Sequence, residues 1–326
     1  MAIPRRADCE RTVVTMSYTN QRKAYGETLV ALGAENEKIV ALEADLGNST
    51  MSRLFQQAYP ERYFEMGIAE ANMTSVAAGL AQTGFIPVTH SFAVFAGGRA
   101  YDQLRQTIAI GKLNVKVCGS SADCSDFGDG ATHQSVEDIA IMRAIPNMTI
   151  LCPVDANETV RAVKAMIGME GPCYIRINRN DYDNVTAENA PFEIGVPTVL
   201  REGGDVTVFA IGYMAALAVK AADALAGELS VKVVNVSTLK PLREDALADL
   251  ARGCRGVVTA EEHSVVGGLG SIVCQALRGS GLPVELVGIE DVFGCSAHSY
   301  DEILGCLGLT QEHIETAIRC AAGSAN

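Results

Sequence analysis

The sequence predicts an α/β protein built of two doubly wound domains, and three observations carry that prediction. Short apolar runs of strand character alternate with longer segments of helical period along most of the 326 residues. The alternation breaks once, in a stretch rich in Asp, Asn, Glu, Pro and Gly, and then resumes. The chain is 48% hydrophobic and 20% charged, which is enough apolar material for a sizeable core. Regular alternation of this kind implies parallel sheets with helices on both faces.

The elements follow in order. Residues 20–36 read as an amphipathic helix with Leu29 and Leu32 on one side, and residues 38–44 as a buried strand. Residues 69–82 form a helix rich in small side chains, ended by Gly84. A strand at 85–90, a helix at 94–110 and a strand at 115–118 come next. Residues 134–144 read as a helix stopped by Pro146, followed by a strand at 148–152, a helix at 157–168 and a strand at 174–177. Periodicity fades between Asn180 and Gly203, which marks a linker between domains. Four strands then alternate with helices, at 205–211, 230–236, 256–260 and 283–289. Two helices close the chain, near 300–307 and 311–322. The expected organisation is a loose extension at 1–15, a first domain at 16–185, a linker at 186–199 and a second domain at 200–326. Met16 is as plausible a start as Met1.

Charge and composition exclude several partners. A net charge of −13 leaves no broad basic face for nucleic acid or anionic lipid. The N-terminus lacks the apolar segment of a signal peptide, and no apolar run approaches membrane-spanning length. Ten cysteines, several in apolar runs and none in a Cys-x-x-Cys pair, read as buried reduced thiols rather than a zinc site. These features together point to the cytoplasm.

In open α/β sheets, ligands sit off the carboxyl ends of the strands. That rule selects the loops after Ala44, His90, Cys118 and Ile177, which carry Asp45 and Ser49, Phe92 and Phe95, Asp129 and His133, and Arg179. Glu70 stands apart, an acid where small and apolar residues turn into a helix. A carboxylate there is expected to be poorly hydrated and to hold its proton more readily, which suits exchange of a proton with a ring nitrogen. Alternatively, Glu70 is an acid favoured by the helix dipole.

Four motifs carry a family resemblance. Met66–Met73 (MGIAEANM), Ser91–Arg105 (SFAVFAGGRAYDQLR), Asp129–Asn147 (DGATHQSVEDIAIMRAIPN) and Glu261–Ser271 (EEHSVVGGLGS) resemble transketolases and the related deoxyxylulose-phosphate synthases, in order and at matching spacing. The resemblance spans residues 20–322 and covers the last two domains of a three-domain enzyme. It implies the small subunit of a split transketolase, with a pyrimidine-binding and a C-terminal domain.

The resemblance assigns roles. Glu70 would bond the aminopyrimidine ring of thiamine diphosphate, and Phe92 and Phe95 would flank that ring, although both could simply fill the core. Asp45 would lie near the cofactor, and Ser49 would touch substrate phosphate; the same pair could form an ordinary turn. Asp129 and His133 would bond sugar hydroxyls, with His133 also serving catalysis. Arg179 would grip the acceptor phosphate through its planar fork, and Arg176, earlier on a strand, stays open as the alternative. Magnesium and the diphosphate would be held by a large N-terminal subunit, and the assembled pair would dimerise to α2β2. The reaction implied moves a two-carbon ketol unit from a ketose to an aldose, as in pentose phosphate and related carbohydrate metabolism. Alternatives are the β subunit of a 2-oxo-acid dehydrogenase, half of a synthase joining pyruvate to a sugar aldehyde, and a non-catalytic module that kept the fold.

Departures from the family pattern are informative. The phosphate-binding histidine of the family falls on Ser121, within the unusual segment Cys118–Phe127, so an unphosphorylated or modified sugar is expected. A third aromatic is replaced by Gly98, with Tyr101 the nearest substitute. Gly128-Asp129-Gly130 with Asn157 mimics a diphosphate metal motif, but its run into Thr-His-Gln fits sugar binding better. The GGLG turn after His263 lacks the lysine of a phosphate loop. The second domain is therefore expected to be structural and dimer-forming, and His263, His298 and His313 to be packing or surface residues.

Overall fold

The computed structural model describes residues 18–323; the expected extension at 1–15, and Cys9 with it, lies outside them. The first helix spans Gln21–Glu35. Its start is set by Asn20, whose side chain accepts from the Lys23 N–H and satisfies one of the free amides of the first turn. The strands of the first half are β1 (Ile39–Glu43), β2 (Tyr63–Glu65), β3 (Ile86–Phe92), β4 (Lys116–Ser120), β5 (Thr149–Leu151) and β6 (Cys173–Ile177). Those of the second half are β7 (Thr198–Arg201), β8 (Val206–Ala210), β9 (Val231–Asn235), β10 (Thr238–Lys240), β11 (Gly256–Ser264) and β12 (Val284–Ile289).

Two sheets result. The first runs β10-β5-β6-β4-β3-β1-β2 and is parallel except at β10. The second runs β12-β11-β8-β9-β7, parallel except at β7. The fold class matches the expectation. Central strands β1 and β4 are buried along their whole length, as parallel strands covered on both faces must be. Strand β10 crosses from the second half to pair antiparallel with β5, Thr238 opposite Leu151. One apolar cluster therefore contains both Val117 and Tyr174 from the first sheet and Phe209 and Val257 from the second.

Several elements differ from the sequence reading. Residues 198–199, expected in the linker, begin β7, because their backbone finds a free sheet edge at β9. The helix expected from Gln134 starts at Asp138; residues before it turn back, with the Ser135 N–H donating to the Asp123 carbonyl at 3.0 Å. The helix expected over 94–110 contains π-helical turns at Val94–Arg99 and Leu104–Ala109. Five of the described cysteines are buried, but Cys274, Cys295 and Cys306 are exposed on the second half. No helix among the described residues is long and apolar enough to cross a membrane.

Candidate cofactor and sugar site

Glu70 is the first residue of the helix Glu70–Gln82 and is only 3% exposed. Its approach requires Gly67, which sits at φ +69, a left-handed conformation that costs glycine little. The expected poor hydration is present, but the carboxylate is not alone. Arg99 Nη1 donates to Oε1 at 3.2 Å and to Oε2 at 3.4 Å. The same guanidinium lies 4.1 Å above the Phe95 ring, a cation–π contact. The π-helical turns of Val94–Arg99 carry both partners, and such turns recur at functional sites. Arg99, not Tyr101, is thus the residue that reaches the site near the missing third aromatic.

The two phenylalanines stack with centroids 6.1 Å apart and planes 15° apart. His133 meets both edge-on, at 6.0 Å from Phe92 and 5.4 Å from Phe95. Its Nδ1 is 2.9 Å from the Thr132 hydroxyl, which leaves Nε2 available to a ligand. Phe92 is buried behind Phe95. A cavity of about 270 Å³ brings together Asp45, Glu70, Phe95, Arg99 and His133, from four separate loops or helices. A larger hollow of about 770 Å³ lies between β12 and the last helix. It holds none of the predicted site residues.

Asp45 adopts φ +62, and its N–H donates to Glu65 Oε1 at 2.8 Å. The Gly67 N–H donates to the same oxygen at 3.0 Å. Glu65 therefore pins the Asp45 loop to the entry of the Glu70 helix. The sequence reading missed this residue, whose only signal is an acid closing a short strand beside the motif.

Ser49, Asp129 and Arg179 do not line this cavity. Arg22 Nη1 donates to the Ser49 carbonyl at 2.8 Å. Arg179 is ion-paired with Asp126, which is 3% exposed. Arg176 does not face this region. It is 2% exposed, forks onto Asp138 at 2.8 and 2.9 Å, and pairs with Asp123 at 2.7 Å. Arg176 lies within β6 whereas Arg179 follows its end, and two buried aspartates already satisfy the charge of Arg176.

The second domain does more than the sequence reading allowed. The Ala297 N–H donates to the Phe127 carbonyl at 2.8 Å, and Gln134 Nε2 bridges the carbonyls of Asp126 and Cys295 at 3.1 and 3.0 Å. The loop carrying Asp129 and His133 is thus buttressed by residues 295–297. Asp129 itself is exposed. Glu262 accepts from the Cys124 N–H at 2.9 Å and from Tyr300, whose hydroxyl also accepts from Asn178 at 2.7 Å. Burial raises the Glu262 carboxyl well above its ordinary value, and nearby Asp123 adds to the rise.

The GGLG turn is not an open anion site: the Leu269 and Gly270 N–H groups donate to Glu261 at 2.6 and 2.7 Å. Buried Glu261 is pushed up to about 7. His263 is fully buried, and burial lowers it to about 4, so it packs as a neutral ring.

An acid, two aromatics and a histidine thus gather at the strand ends of a doubly wound domain, and a smaller α/β domain that follows it braces those loops. The transketolase pyrimidine-binding domain matches residues 17–184, and the transketolase C-terminal domain matches residues 195–314. The chain belongs to the transketolase family.

It is 42% identical over 299 residues to the 6-deoxy-6-sulfo-D-fructose transketolase subunit SqwH of Clostridium sp. (strain MSTE9), covering 91% of this chain and 92% of that one. It is 34% identical over 304 residues to human transketolase, covering 91% of this chain but 48% of that enzyme. Among solved structures, a split-gene transketolase described as an inactive β4 tetramer superposes with a TM-score of 0.85 at 44% identity. That match covers 95% of this chain and all of the other. The chain thus matches the split-gene subunit over its whole length and the human enzyme over about half of it.

Proposed function

We propose that this chain supplies the pyrimidine-binding half of the active site of a two-subunit, thiamine-diphosphate-dependent transketolase. The enzyme transfers a two-carbon ketol unit from a ketose to an aldose. The observation that carries this reading is the buried Glu70 carboxylate at a helix start, facing one cavity with Phe95 and His133. A buried acid whose only side-chain partner among the described residues is a half-exposed arginine suits a ring that offers a nitrogen in exchange.

The bound cofactor would supply the nucleophilic carbon, a task that no side chain of the cavity performs. Glu70 holds a proton at the ring nitrogen. Phe95, backed by Phe92, provides an apolar face for the ring, and Asp45 lies at the rim. His133, with Asp129 on the same loop, orients sugar hydroxyls and moves a proton at the sugar oxygen through Nε2. No group of three or more metal-ligating side chains occurs among the described residues. Magnesium and the diphosphate belong on the partner, a large subunit that assembles with this chain as α2β2.

The test is reconstitution. The purified chain should show no ketol transfer and weak cofactor binding, and a large subunit carrying the diphosphate and metal motif should restore turnover. Turnover by the single chain would overturn the division of the site. Failure of every such partner to restore turnover would overturn the reaction.

A further inference from the structure

We infer that Gln134 is a positioning residue for His133, and that it acts by locking the His133 loop onto residues 294–297 of the second domain; this deepens the proposed function and rests on it.

The loop has little of its own to hold it. Of residues 128–134, only Gly130 and Gln134 are buried. The one regular element is the short turn Gly130–Thr132. The His133 N–H donates to the Gly130 carbonyl at 2.9 Å, and the Gln134 N–H donates to the same oxygen at 3.0 Å. The place of His133 therefore follows that of its two buried neighbours.

Both neighbours meet the second domain. Gln134 is 3% exposed, and its Nε2 donates to the Asp126 carbonyl at 3.1 Å and to the Cys295 carbonyl at 3.0 Å. One amide thus ties the start of the loop to the strap at 294–297. Its Oε1 is buried, has no hydrogen-bond partner among the described residues, and abuts Gly294. A Cβ at 294 would run into that amide, so the close approach needs glycine there. Gly130, at φ +75, is the second point of contact: a Cβ there would clash with Ser296 Oγ and lie 2.9 Å from the Ser296 nitrogen. The Ala297 N–H closes the seam by donating to the Phe127 carbonyl at 2.8 Å. Phe127 and Ala297 both pack on the apolar cluster of the second half.

Filling space does not account for Gln134. A buried polar atom left unpaired costs about 1–3 kcal/mol. A methionine would fill the same volume without that cost, so what the amide adds is the direction of its two N–H bonds. The group that gains is His133, whose ring sits edge-on to Phe92 and Phe95 in the Glu70 cavity. Misplacing a reacting group by about 1 Å can cost about 10²-fold in rate.

The test has two arms. In the first, ring resonances are recorded on the full chain with isotope-labelled histidine, and that of His133 is identified by its loss in His133→Ala. Gln134→Met should move the His133 resonance, because the ring currents of the two phenylalanines fall off steeply with distance. The resonances of buried His90 and His263 should stay in place.

The second arm uses the complex reconstituted with its large subunit, with hydroxypyruvate as donor and D-glyceraldehyde as acceptor. The bond between the donor's carbonyl carbon and its carboxylate breaks and releases carbon dioxide. The two remaining carbons bond to the aldehyde carbon, and the aldehyde oxygen takes up one proton. Gln134→Met should lower kcat by about 10- to 100-fold. In a His133→Ala background the same substitution should change kcat less than about threefold, because the residue it positions is gone.

An unmoved His133 resonance in the folded variant overturns the inference. So does an equal loss of kcat in both backgrounds, which is what a merely structural residue gives. Should Gln134→Met fail to fold, Gly294→Ala presses on the same amide from the second domain and is read in the same two ways. Should His133→Ala leave too little turnover to measure, the resonance decides. No turnover by the wild-type complex overturns the proposed function and leaves the first arm standing.

Discussion

The two ends of the site are each built on an arginine paired with a buried carboxylate, and they differ in which partner is free. At the ring end, Glu70 is buried and Arg99 is 51% exposed at its side chain, with contacts of 3.2 and 3.4 Å. At the sugar end, Asp126 is equally buried, but Arg179 is 29% exposed and its backbone is tied to Asn20. A half-exposed arginine is held weakly, by roughly 0–1 kcal/mol, so under the proposed function a ring would displace it and take over the acid. A more enclosed pair is costly to separate, so it shapes what enters. Under the proposed function the same chemical pair would act as an exchangeable plug at one end and as a fixed wall at the other. Arg176 marks the limit of this series: with both aspartates buried, it is structure alone.

The largest effect should come from Glu70→Gln in the assembled enzyme. Turnover should fall by about 10²- to 10⁴-fold, the usual worth of a positioned acid or base, with assembly by sedimentation unchanged. Near-normal turnover would show that the ring end is not where the chemistry is controlled. Next, Asp138→Asn leaves Arg176 with one buried counter-charge and should cost about 3–5 kcal/mol of stability, read by denaturant unfolding. A loss below 1 kcal/mol would place Arg176 with the exposed pairs.

Glu43 is a buried acid at the ring end without an arginine. It accepts from Thr50 at 2.6 Å and from the Ala44 N–H at 2.9 Å, and burial pushes it up to about 7 from an ordinary 4.5. In that window the folded chain binds the extra proton, so stability declines as pH rises from 4.5 through 7. Relative to wild type, Glu43→Gln should therefore gain stability between pH 5 and pH 8, on the order of 1–3 kcal/mol. A difference independent of pH in paired thermal melts would contradict the buried, arginine-free assignment. The smallest effect is expected from Arg99→Met. Cofactor affinity of the complex should change less than about fivefold, within the 0–1 kcal/mol worth of an exposed pair. A loss of a hundredfold by titration would make Arg99 a ligand in its own right and erase the contrast between the two ends.

The fold, and several of the residues that line the Glu70 cavity, were legible in the chain. Periodicity located the first helix to within a residue, because Asn20 and Asn36 punctuate it, and it located most strands, because parallel strands are continuous apolar runs. Short edge strands β2 and β10 were missed, since three residues carry no period. Glu70, Phe95 and His133 were selected by motif and by position at strand ends, and they share a cavity. Arg99 was passed over because it stands where the family pattern offered an aromatic.

Residue types, their periods and the order of strands and helices were determined by the sequence alone, since each rests on neighbours within a turn or two. Which charges cancel was decided only by the tertiary structure. Asp126 and Arg179 are far apart in the chain, and they meet because β4 lies beside β6 in the sheet. Likewise residues 295–297 brace the His133 loop only once the second domain has docked. Ion pairs and cross-domain hydrogen bonds act over a few ångströms of space, and the order in which strands sit side by side within a sheet, unlike their order along the chain, leaves no local trace in the sequence.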